Sequence, residues 1–67
     1  MDIQELTFRI NGLRTNYGAS LPREVLSENY KLLTEFKDIQ VKLNWLDDNL
    51  IWVCANIDRY NGHTFGT

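Results

Sequence analysis

Three features of this 67-residue sequence predict an all-α fold. Apolar residues recur in alternating steps of three and four at Ile3, Leu6, Ile10, Leu13 and Tyr17. The same spacing returns at Leu32, Phe36, Ile39, Leu43, Leu46, Leu50, Val53, Ile57 and Tyr60. It keeps side chains on one stripe of a helix, and such a stripe must be buried against something. Between the two runs stand Gly18 and Pro22, a residue that ends helices and one that begins them.

The first element is expected over about residues 2–17. Asp2 and Glu5 suit the positive N-terminal end of a helix, Glu5 and Arg9 form an acid-first i,i+4 pair, and Gly18 suits its far end. Asn11-Gly12 is the competing signal. It is a strong hairpin dipeptide, and Leu6, Phe8 and Ile10 before it with Leu13, Thr15 and Tyr17 after it would share one face of a ribbon.

A second helix is expected from Pro22, with Ser20 near its cap and Val25, Leu26, Tyr30, Leu33 and Phe36 on its apolar face. Beyond Lys37 two readings compete. As helix, the run continues to Asn61 with every a and d position apolar, as in a coiled coil, and Leu43 and Leu46 at the centre of the seam. As strand, Ile39, Val41, Leu43 and Trp45 alternate with polar residues, and Asp47-Asp48-Asn49 turns the chain into Ile51, Val53, Ala55 and Ile57. That alternative gives an α+β fold of order ββαββ. The unbroken spacing favours helix.

A continuous helix from residue 22 to 61 would be about 60 Å long, more than a domain of this size covers alone. It either breaks at residues 47–49, where an Asp caps a further helix and a three-helix bundle results, or stays whole as the long arm of a helical hairpin. Preserved phase across the Asp pair favours the hairpin, which would dimerise. Residues 1–61 then form one small domain and 62–67 a flexible C-terminal tail. Small size alone points toward a partner, because so short a chain buries only about 60% of its unfolded surface.

Composition narrows the function classes. Hydrophobic residues at 43% and charged residues at 24% describe a folding domain. Arg9, Arg14, Arg23, Lys31 and Lys37 face an equal number of acids in residues 1–37, and the net charge is −2, so nucleic-acid binding is not expected. The single Cys54, the lack of a signal-like N-terminal segment and an apolar run reaching only from Leu50 to Ala55 lead to a cytoplasmic protein without a membrane span. Short chains without a catalytic constellation are also common products of phages and mobile elements.

No residues are expected to be catalytic, to bind a cofactor or to ligate a metal. Adjacent Asp47 and Asp48 diverge by about 100° on a helix and read as a cap or turn. His63 falls in the expected tail, and Cys54 has no neighbouring base. The expectation is therefore a non-enzymatic interaction module, an inhibitor, adaptor or assembly subunit, with a protein partner and a homodimeric state. Its binding residues would be Trp45, Trp52, Val41 and Arg59, along one edge of the long helix. In the hairpin Trp52 lies beyond the reach of the first helix, so a second molecule would have to cover it. The alternative is a nucleic-acid-associated regulator using Arg9, Arg14 and Arg23.

Overall fold

The structure, a computed structural model, describes residues 2–64, with side chains described as far as Gly62. Four helices follow in order, α1 (Ile3–Tyr17), α2 (Arg23–Glu28), α3 (Tyr30–Lys42) and α4 (Asp48–Thr64). Among the described residues there is no strand, so the all-helical reading holds and the ββαββ alternative does not.

α1 forms as its caps direct. The Asp2 carboxylate accepts the Glu5 N–H at 2.9 Å, satisfying one of the N–H groups a helix start leaves open. Asn11 and Gly12 lie within the helix on its exposed side, where a turn dipeptide weakens the helix without stopping it. Burial of Leu6 and Ile10 outweighs the local preference. The helix ends at Gly18, whose φ of 71° suits glycine and whose N–H donates to Arg14 O at 2.8 Å.

The expected long helix is interrupted twice. At Asn29 the backbone sits at φ −107°, ψ 11°, and both its N–H and its side-chain Nδ2 donate to Val25 O, at 3.0 and 2.8 Å. A side chain competing for a helical carbonyl bends the ladder, so α2 and α3 are two segments. The second interruption falls at residues 43–47, slightly ahead of the expected 47–49. Asn44 adopts φ 55°, Asn44 N–H donates to Val41 O, and Trp45 N–H donates to Gln40 O at 2.9 Å. This is the left-handed ending that terminates many helices, with asparagine in the place glycine usually takes. Asp47 then starts α4, its Oδ1 accepting Leu50 N–H at 2.9 Å, and Asp48 adds negative charge to the first turn.

Folding back at Asn44 removes the 60 Å rod. The described residues span 34 × 24 × 19 Å. One core unites Leu6 and Ile10 of α1, Leu21 of the α1–α2 bend, Leu26 of α2, Leu33 and Phe36 of α3, and Trp52, Val53 and Ile57 of α4. α1 and α4 run in the same direction, since Arg14 bonds Asn49 and Gly18 bonds Trp52 in step. α4 continues past Gly62 to Thr64, where a tail was expected, and the remainder of that expectation lies outside the described residues.

The supposed centre of the seam is on the surface. Leu43 and Leu46 belong to the α3–α4 link and are 57% and 70% exposed, because the helix ends before it can carry them inward. Leu43→Ala and Leu46→Ala are thus expected to change stability by less than about 0.5 kcal/mol. Thermal melts followed by circular dichroism check this, and a loss above about 2 kcal/mol in either variant contradicts the placement.

Candidate functional site

The described end of the molecule where α3 passes into α4 gathers large apolar side chains that face solvent. Val41 leaves the buried stripe of α3, Leu43, Trp45 and Leu46 come from the link, and Ile51 projects from the first turns of α4 on the side away from its buried Val53 and Ile57. They are 54–70% exposed. The helix stop at Asn44 is what turns them outward, since link residues have no stripe to follow.

Beside them runs a groove of about 390 Å³ lined by Ile3, Gln4, Thr7, Gln40, Trp45 and Asp47. Gln40 stands four residues after Phe36 and seven after Leu33, on the buried face of α3, and is 3% exposed. Its Nε2 donates to Asp47 Oδ2 over 3.4 Å, a long contact, while its buried Oε1 has no hydrogen-bond partner. That bond fixes which end of the amide is the donor, because a carboxylate accepts. The first turn of α1 brings Asp2 and Glu5 to this end, and the start of α4 brings Asp47 and Asp48. Of the basic residues here, Arg9 pairs with Glu5 at 3.8 Å and Lys42 follows Asp38 by one turn.

The other two expected binding residues are elsewhere. Trp52 is 8% exposed and its indole N–H donates to Gly18 O at 2.9 Å, so the end of α1 does reach it and it is part of the core. Arg59 Nη2 donates to Leu21 O at 2.6 Å and to Asn56 Oδ1 at 3.1 Å, holding the α1–α2 bend. Only Val41 and Trp45 remain together on the exposed end. Leu43 and Leu46 join them there together with Ile51, and buried Gln40 lines the groove beside them. The first two were hidden by an apolar phase that survives the loop, whereas the burial of Gln40 was readable from its spacing to Leu33 and Phe36.

The arginines of the nucleic-acid alternative do not converge. Arg9 and Arg14 point about 140° apart around α1, Arg14 donates to Asn49 Oδ1 at 2.7 Å, and Arg23 shares a small cleft with Arg59 near α2. Cys54 is half-buried on α4. Among the described residues no group of three or more His, Cys, Asp or Glu is arranged to hold a metal, and no helix is long and apolar enough to cross a membrane. The His63 side chain lies outside the described residues.

No family model matches the chain, and neither a curated protein nor a solved structure is similar to it.

Proposed function

We propose that this protein is a non-enzymatic docking module that binds another protein through its exposed apolar end. The observation that carries the reading is the set Val41, Leu43, Trp45, Leu46 and Ile51, each more than half exposed within eleven residues of sequence. Single exposed apolar residues are ordinary, but five of them drawn from one link and its flanking turns, with a tryptophan among them, suit an interface. The helices behind it are anchored in the core by Phe36, Val53 and Ile57, so the surface is held rigid before a partner arrives.

A second copy is the alternative occupant, giving the dimer that the size of the domain favours. An inhibitor, adaptor or assembly role fits a chain whose prominent surface is apolar. The divided arginines favour this reading over nucleic acid.

The test compares the immobilised parent with Leu46→Asp and Trp45→Ala, all three melting within a few degrees of one another. A protein retained by the parent and lost with both variants is expected, with an effect of more than about 2 kcal/mol for Trp45. Identical retention by all three chains would remove this surface from the function.

A further inference from the structure

We propose that the groove between α1 and the α3–α4 link is a socket for an arginine side chain of the docking partner. The inference rests on the docking reading for the existence of a partner, and names its chemistry. Three features converge on a guanidinium.

The first is an acceptor left over. Gln40 lines the groove at 3% exposure, and among the described residues its Oε1 is the buried side-chain atom without a partner. Buried polar groups are normally satisfied, and leaving one empty destabilises a fold unless something else uses it. The amide is closed to solvent in the free protein, so binding requires it to turn toward the incoming donor, which gives up only the 3.4 Å contact to Asp47.

The second is charge. Asp47 lines the same groove, and its Oδ2 holds only that long Gln40 contact while Oδ1 caps α4. Asp2 and Asp48 stand at the starts of the two helices that reach this end, Glu5 is paired with Arg9, and Lys42 is the basic residue in the last turn of α3. Such an end attracts a cation and disfavours an acidic segment.

The third is Trp45, which forms a wall of the groove while 59% exposed. A guanidinium stacks on an indole face and at the same time donates in its plane to two acceptors, here the Asp47 carboxylate and the Gln40 carbonyl. An ammonium satisfies only part of this set. The apolar stem of arginine meets Ile3. The same acidic rims would face each other if a second copy covered the groove, which is why a basic partner segment is the better occupant.

The probe is blocked arginine, N-acetyl-arginine methylamide, titrated into the full chain while nitrogen-edited NMR follows the Gln40 side-chain amide and the Trp45 indole N–H. Saturable shifts of both signals are expected in the millimolar range, weakening as salt is added. Blocked lysine should bind several-fold more weakly, and blocked glutamate and norleucine should leave the signals in place. Asp47→Asn retains a good helix cap and removes the charge, so binding should fall about tenfold with the fold intact. Gln40→Met should lose the arginine response and melt at or above the parent temperature, because the orphaned acceptor is gone.

The socket is overturned by absent or non-saturable shifts, by equal responses to arginine and norleucine, or by binding that Asp47→Asn leaves unchanged. A Gln40→Met chain that melts well below the parent would assign the amide to holding the link, and also overturns it. So would Trp45 shifts on concentrating the chain without ligand, which would place a second copy in the groove. If the socket fails while Leu46→Asp still abolishes partner retention, the docking reading stands without it.

Discussion

Phe36→Ala is expected to lose most of its cooperative unfolding transition. Phe36 is fully buried and lies among the core residues contributed by all four helices. Truncating a buried phenylalanine costs about 3–5 kcal/mol, through lost burial and the cavity left behind. A chain of this length has only about 3–10 kcal/mol in total. The melting temperature should fall by at least about 12 °C or the transition should vanish. Circular dichroism of parent and variant decides it, and a shift below about 5 °C would mean that α3 is not packed through Phe36.

Asn56→Leu should be the most damaging change at a polar position. Asn56 is 2% exposed and has three bonds, accepting from Leu21 N–H at 3.0 Å and from Arg59 Nη2 at 3.1 Å, and donating to Trp52 O at 2.9 Å. Leucine fills similar space but leaves the Leu21 N–H buried without an acceptor and frees Arg59 from one of its two bonds. The expected loss is about 2–4 kcal/mol. Asn56→Asp keeps the acceptor for both donors and should be milder near neutral pH. Hydrogen exchange at Leu21 reports the effect locally. Retained protection in Asn56→Leu, or a larger loss in Asn56→Asp, would show that the bend is held by something other than this side chain.

Helical character was legible throughout, whereas of the boundaries only those of α1 and the start of α2 carry clear local signals. Asp2 and Gly18 bound α1 as their chemistry suggests, and Pro22 precedes α2. The turn at Asn44 was not legible, for a physical reason. Leu43 and Leu46 keep the apolar phase of α3 and α4, so periodicity reads straight through a loop whose helix stop is marked by one asparagine able to adopt positive φ. Asp47 was readable as a cap, yet a cap is also compatible with a position inside a helix. Two of the five residues of the candidate surface, Val41 and Trp45, are among those the sequence singled out. Trp52 and Arg59 did not belong with it, because the fold-back at Asn44 brings the end of α1 and the α1–α2 bend against α4. A helix drawn straight would have kept them apart.

The α1–α2 bend is fastened by residues that come much later in the chain. Leu21 has its N–H bound by Asn56 and its carbonyl by Arg59, 35 and 38 positions downstream. On a translating ribosome those residues are polymerised well after the bend they hold. Until they emerge, Gly18 and Leu21 offer their backbone groups to water, and Leu6, Ile10 and Phe36 have neither Val53 nor Ile57 to cover them. α1, α2 and α3 therefore wait as an open half-core, exposed to chaperones and proteases, and the domain closes only when α4 is released.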